Sequence, residues 1–421
     1  MRRAIAEALF ATRARRSVAC LVALATLPAA WFIIDVIEWA SWDAGARRAL
    51  ASLSLLALTV IFAGLAEIRR GGMPQRRPRV GPLVTILVCC LCLPAVRSQV
   101  ELGVARFRAP HVNDIPLTTM AAARAMVAGH NPYAVAVDPR AESAEQRRNY
   151  DGFKYLPMMA VAYSPAALLD SPSGVVLINA CLQGAAALLV FLVARSLAGS
   201  LAASLSLIFY LWLPIVPRQL FGPGVTDYAA VVPLLAAFAL VTRKPRFAGL
   251  LVGLSLSAKL VPALALAAII APAASPWRPG DGRRYWAGFV CGCLPSLVYF
   301  LWSPADLVSN VLFFNLSRPV DSTSWLDGHP AWWRAAATIG LAALFAAGAG
   351  IRWVMTPNRR GRALLIVVVA MGTTLLGPVN HGNYQLWWIP WLAIVLASCA
   401  GPFLSVREAW TPTAVTRLAD D

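Results

Sequence analysis

Charge is what this chain has least of. Asp, Glu, Lys and Arg together make up 14% of its 421 residues, where a soluble domain carries about 25%. Acids are the scarcer sign, 20 against 37 basic residues. With 59% hydrophobic residues and a mean hydropathy of +0.64, the composition is that of a membrane protein and not of a soluble domain. No metal-binding DxD motif is present, and no internal repeat stands out. Cys20, Cys89, Cys90, Cys92, Cys181, Cys291, Cys293 and Cys399 all fall in apolar runs without metal-site spacing. They read as small buried hydrophobes rather than a disulfide framework or metal site.

What is present is a series of apolar runs near the spanning length of ~20 residues. The fold class is therefore all-α: a polytopic helical membrane protein of about 11–13 hydrophobic segments, one integral membrane domain over 1–421. The basic N-terminus and the run Val18–Ile37 predict an uncleaved first span. The net charge of +17 is concentrated in short clusters, and the positive-inside rule accounts for them without a nucleic-acid partner. Arg2 to Arg16, Arg69–Arg79, Arg243–Arg246, Arg278–Arg284 and Arg359–Arg362 mark the inside.

Between them lie the spans Ala49–Ala66, Leu83–Val96, Val175–Val193, Leu201–Pro214, Val225–Val241, Tyr285–Trp302, Ala331–Val354, Ala363–Leu376 and Leu386–Ser398. Met158–Leu169 is too short for a full crossing and reads as partial or re-entrant. Phe247–Ala274 starts and ends beside basic clusters, which predicts two half-helices meeting at Lys259. This topology places the 98–154 segment, the 303–330 loop and His381 outside. Within the first loop, Leu117–Val127 reads as an interfacial amphipathic helix started by Pro116, with Asp114 just before it.

Polar residues in so apolar a chain are the candidates for chemistry. Asp114 is flanked by His111 and Asn113 in HVNDIP, where it is either a functional carboxylate or a helix cap. GHNPY carries Tyr133 after a helix stop, and FKYLP carries Lys154 and Tyr155 where an apolar segment opens. Arg218 and Asp227 flank the turn FGPGVTDY, as an ion pair or as substrate contacts. Lys259 stands mid-run in GLSLSAKLVP, with no neighbour in sequence to neutralise it, so an anionic ligand is expected there. Arg318 and Asp321 fall in SRPVDSTSW, and His381 with Gln385 one helical turn further on in NHGNYQLWW.

This ordered set resembles the polyprenyl-phosphate-dependent GT-C glycosyltransferases, in particular the bacterial group that includes the mycobacterial mannosyltransferases of phosphatidylinositol mannoside synthesis. The resemblance covers most of residues 80–400. It implies Asp114 as the catalytic carboxylate, Lys259 beside the lipid phosphate, and donor or acceptor contacts among His111, Asn113, Tyr133, Lys154, Tyr155, Arg218, Asp227, Arg318, Asp321, His381 and Gln385. It also implies a polyprenyl-phosphate sugar donor (mannose first), a glycolipid or envelope glycan acceptor, and membrane lipids as the surroundings. No cofactor or metal is expected, the chain is expected to be a monomer, and its site should face the periplasm from the bacterial inner membrane. The chain departs from the family at Leu117, Thr118 and Thr119, where tyrosines are usual, and at Leu156-Pro157, where a double proline is usual. A transporter or flippase of lipid-linked sugars, or an envelope polysaccharide ligase or polymerase, is the alternative.

Overall fold

The computed structural model describes residues 80–110, 114–134, 152–169, 171–213, 215–260, 263–272, 280–314, 324, 326–355, 358–377 and 382–404. The expected first two spans, the Arg69–Arg79 cluster, His111, Asn113, Arg318, Asp321 and His381 lie outside the described residues.

Every described regular element is helical. The helices are α1 Val80–Arg108, α2 Asp114–Val127, α3 Pro157–Leu168, α4 Ser173–Trp212, α5 Ile215–Phe221, α6 Tyr228–Leu240, α7 Pro245–Ala258 and α8 Ala263–Ile270. They continue as α9 Asp281–Trp302, α10 Pro304–Leu307, α11 Ala331–Met355, α12 Arg359–Leu376 and α13 Ile389–Leu404, with a π-helical stretch at Val308–Phe313 and a 3₁₀ helix at Gly382–Trp387. The chain divides into two units. One holds Val190–Pro214 with the described parts of 80–98 and 392–404; the other holds Gln99–Leu189 and Ile215–Trp391 and carries every site residue discussed below.

Three described stretches, Ser173–Ser200, Asp281–Trp302 and Trp332–Arg352, are long and apolar enough to cross a membrane. Their large side chains face outward: Leu301 is 72% exposed, and Val290, Leu297 and Val298 join it along α9. Such a surface is costly in water and native to lipid. The protein is a helical membrane protein. The cysteines follow the same logic and correct the buried reading, because Cys181, Cys291 and Cys399 are exposed. An apolar side chain on a spanning helix is as well accommodated by lipid as by a core.

Several local expectations hold. Helix α4 breaks at Gly199, whose φ of 86° and ψ of 178° only glycine adopts without strain. Helix α3 begins with Pro157 in its first turn, and its 12 residues rise only ~18 Å, too little to span. The break at Lys259 is present: α7 ends at Ala258, Lys259 is extended at φ −148° and ψ 119°, and α8 begins at Ala263.

Other expectations are corrected. The polar interruption after Arg97 is not loop at its start, since α1 runs on to Arg108 and stops only before Pro110. The 303–330 segment likewise begins as helix, through Phe314. Helix α2 does not present its threonines to an interface. It packs along α3 with Pro116, Thr118, Thr119, Met120, Ala122 and Ala123 buried. The hydroxyls of Thr118 and Thr119 donate back to the carbonyls of Asp114 and Ile115, which lets them leave water without an unpaired group.

The closest helix pair is α7 with α9. Gly249 and Gly253 on α7 face Gly288 and Gly292 on α9, and a Cβ at any of the four would overlap backbone atoms of the other helix. Two small-xxx-small stripes thus let the backbones touch, where dispersion and polar contacts replace the hydrophobic effect. Ser257 Oγ donates across the seam to Gly292 O at 3.0 Å.

Candidate functional site

The segments FKYLP, FGPGVTDY, SLSAKLVP and GNYQLWW, scattered over the sequence, meet around one ion pair, Asp227 with Lys259. Asp227, 1% exposed, precedes the first turn of α6. Its Oδ1 accepts from Lys259 Nζ at 2.5 Å and from Trp387 Nε1 at 2.7 Å, and its Oδ2 accepts from Asn383 Nδ2 at 2.9 Å. Three donors thus converge on this carboxylate at the start of a helix, the end at which the dipole favours negative charge. The Lys259 ammonium lies 5.0 Å from the Tyr384 ring centroid and 5.6 Å from that of Tyr155, so aromatic faces line the rest of its surroundings.

This arrangement corrects two expectations. Lys259 has an internal counter-charge in Asp227, so it does not require an anionic ligand for neutrality. Asp227 is spent on Lys259 and not on Arg218. The reason is the break between α7 and α8: an extended residue projects its side chain across the bundle, out of register with the helix stripes on either side.

The turn before Asp227 is built by a residue that sequence reading passed over. Asn179 of α4 is fully buried and donates to Leu220 O at 2.7 Å and Val225 O at 3.2 Å, while accepting from Tyr163. It satisfies carbonyls freed where α5 stops, and Gly224, at φ 73°, completes the turn. The signal was its isolation, a lone amide in the apolar run VVLINACL.

Asn383, Tyr384 and Trp387 were also missed in favour of His381 and Gln385. Gly382–Trp387 is a 3₁₀ helix, in which residues i and i+3 eclipse, so Tyr384 and Trp387 share the face toward Lys259. Spacing by four, which linked His381 to Gln385, does not apply in it. Gln385 is half-buried, and its Oε1 is buried with no partner among the described residues.

A second polar group surrounds Tyr133. Helix α2 ends in paired turns, Gly129 N to Met126 O and His130 N to Ala125 O, with Gly129 at φ 73°. Asn131 Oδ1 then accepts from Tyr133 N, and Asn131 Nδ2 donates to Asp306 Oδ2 at 3.0 Å. Tyr133 is 3% exposed and its hydroxyl donates to Tyr155 O at 3.0 Å. Burial pushes this phenol above its ordinary range, so it stays protonated and able to donate. Lys154 does not snorkel outward: Nζ donates to Asn310 Oδ1 at 2.8 Å and sits 4.8 Å over the Phe314 ring. Asn310 occupies the π-helical stretch, a distortion that re-aims side chains.

Asp114 stands apart. It is half-exposed in the first turn of α2, and no described side chain pairs with its carboxylate. From Asp114 to Val127 the helix rises ~20 Å, and it is the Val127 end that leads into Tyr133 and Tyr155. Asp114 and Lys259 are therefore not brought into contact. Arg218 lies on α5, which packs beside the 3₁₀ helix and sets its Phe221 ring against Gly103 of α1, five residues before the end of that helix. No cluster of three or more His, Cys, Asp or Glu able to hold a metal occurs among the described residues. Comparison of the chain with protein-family models, curated proteins and solved structures finds no match.

Proposed function

We propose that the protein is a polytopic inner-membrane glycosyltransferase that moves a sugar from a polyprenyl-phosphate donor to a hydroxyl of a lipid-linked or envelope glycan. The single observation behind this reading is the state of Asp114. It is a carboxylate six residues beyond the end of α1, half-exposed and without a described partner. A general base needs that freedom, and acceptor-hydroxyl activation by one carboxylate needs no second acid. The acceptor oxygen attacks the anomeric carbon, its proton passes to Asp114, and the carbon–oxygen bond to phosphate breaks with its electron pair leaving on polyprenyl phosphate. Attack from the opposite face inverts the anomeric centre.

The departing phosphate needs a cation held in place. With Lys259 bound to Asp227, that role passes to Arg218 of α5, the helix whose Phe221 packs against Gly103 of α1. The unpartnered Gln385 Oε1, on the 3₁₀ helix against which α5 packs, offers an acceptor for a sugar hydroxyl. The test is direct: purified protein in lipid nanodiscs is given polyprenyl-phosphate [14C]mannose and a panel of other labelled polyprenyl-phosphate sugars with envelope glycolipids. Label transfer from one donor supports the reading; consumption of none contradicts it.

A second reading has its own observation. Half-helices meeting at a charged break, with a carboxylate partner across it, also suit a transporter of lipid-linked sugars. Movement of an intact donor across a sealed vesicle, with no sugar bond broken, would favour that alternative.

A further inference from the structure

The far end of α6 from Asp227 holds a second charged site, built from basic residues. Helices α11 and α12 bring Arg352 and Arg362, 5% and 4% exposed, to the C-terminal carbonyls of α8. Arg352 Nε donates to Ile269 O at 3.2 Å and Nη2 to Ala271 O at 2.6 Å. Arg362 Nη1 reaches Ile270 O only at 3.4 Å, beyond the usual N–H···O range, and its Nε is buried with no partner among the described residues. The same guanidinium lies 5.8 Å over the Phe238 ring near the end of α6, and that of Arg359 lies 5.4 Å over it.

A helix-capping role accounts for only part of this. A helix C-terminus carries about half a negative charge, whereas Arg352 and Arg362 bring two full positive ones. No described carboxylate pairs with either. Nor does the neighbouring sequence supply one easily: residues 241–247, 278–286 and 352–363 hold ten Lys and Arg against one acid, Asp281. Asp281 is already within 3.4 Å of Arg284. Buried guanidiniums in excess of their counter-charge are stable where an anion completes the set, and the planar fork of Arg fits phosphate oxygens in particular.

We propose that Arg352 and Arg362 form a binding site for a phosphate-type anion at the basic end of α6 and α8. Its occupant is either the phosphodiester of an anionic lipid headgroup or a soluble phosphate compound. The site is independent of glycosyl transfer, and it stabilises the meeting point of α6, α8, α11 and α12 when filled. Arg362, with its buried and unpartnered Nε, supplies the donor still to be satisfied; Arg352 supplies fixed charge.

The experiment uses full-length protein released from nanodiscs of equal phosphatidylglycerol and phosphatidylcholine content, read by native mass spectrometry, beside thermal unfolding with sodium phosphate or with sodium chloride of equal ionic strength. Selective retention of phosphatidylglycerol identifies a lipid headgroup. A phosphate-specific rise in unfolding temperature without lipid preference identifies a soluble anion. Either response should be about tenfold weaker in Arg362→Gln, the loss of one charge-assisted contact. An equal response in Arg362→Gln, or no preference of either kind in the wild-type protein, overturns the proposal. Should Arg362→Gln not fold, the two wild-type comparisons decide alone.

Discussion

Lys259 and Asp227 stand 32 residues apart and meet at 2.5 Å, the lysine 12% exposed and the aspartate 1%. Lys259 is the extended residue between α7 and α8, and Asp227 introduces α6. The pair therefore ties a helix break to a helix start within the unit that holds Gln99–Leu189 and Ile215–Trp391. Removing one member of a buried pair leaves the other uncompensated, at a cost of roughly 3–5 kcal/mol. Lys259→Met should thus lower the unfolding temperature and folded yield sharply. The double variant Lys259→Met with Asp227→Asn should recover much of the loss. Equal damage in the single and double variants, measured by thermal unfolding in detergent, would show that the pairing is not what holds the site.

The α7–α9 seam predicts a different behaviour. At Gly253 or Gly288 even a methyl group meets backbone atoms of the opposite helix, so rotamer changes cannot absorb it. Gly288→Ala and Gly253→Ala should each destabilise by about 1–3 kcal/mol, the usual range for overpacking. Gly184→Ala, where a Cβ meets open space, should be near neutral. Equal thermal stability of all three variants would contradict the close approach.

Legibility in the sequence followed the range of the interactions. The Lys259 break, the start of α3 at Pro157 and the stop at Gly129 are set by neighbouring residues, so charge spacing, proline and glycine announced them. The partner of Lys259 was not announced. Asp227 had been set beside Arg218, nine residues away in sequence, and only the fold brings it to Lys259. Asn179 and the four facing glycines escaped for the same reason: each matters through a contact with a distant segment. Gly249-x-x-x-Gly253 was readable as a spacing, but its meaning depended on Gly288 and Gly292 lying opposite. The 3₁₀ form of Gly382–Trp387 changed which side chains share a face, and so moved attention from His381 and Gln385 to Tyr384 and Trp387.

Gly152 offers a test of the second polar group. Its φ is 86°, and a Cβ there would lie 2.7 Å from Asn310 Oδ1, the acceptor for Lys154. Gly152→Ala meets both strain and a clash, costing about 1–3 kcal/mol in backbone strain alone. Adding Asn310→Ala should relieve the clash but not the strain, giving partial rescue. Full rescue in thermal unfolding would mean the backbone there is not left-handed.

Topology can be checked without enzymology. By the positive-inside rule the basic clusters predict residue 70 inside and residue 140 outside. In a background with the native cysteines replaced, Arg140→Cys should react with a membrane-impermeant maleimide on intact cells, and Arg70→Cys only after lysis. The reverse pattern would remove the 98–154 segment from the outer face and, with it, the proposed role of Asp114.

The most direct test of the functional account is label transfer by Asp114→Asn in nanodiscs, with the polyprenyl-phosphate sugar and acceptor that the wild-type protein uses. The substitution keeps the shape of the side chain and removes only its ability to take a proton. The account predicts that transfer falls by about 10²–10⁴-fold, the size of a general-base contribution, while donor binding and unfolding temperature stay at wild-type values. Near-wild-type transfer by this variant would contradict it and leave Asp114 as an acid at a helix start.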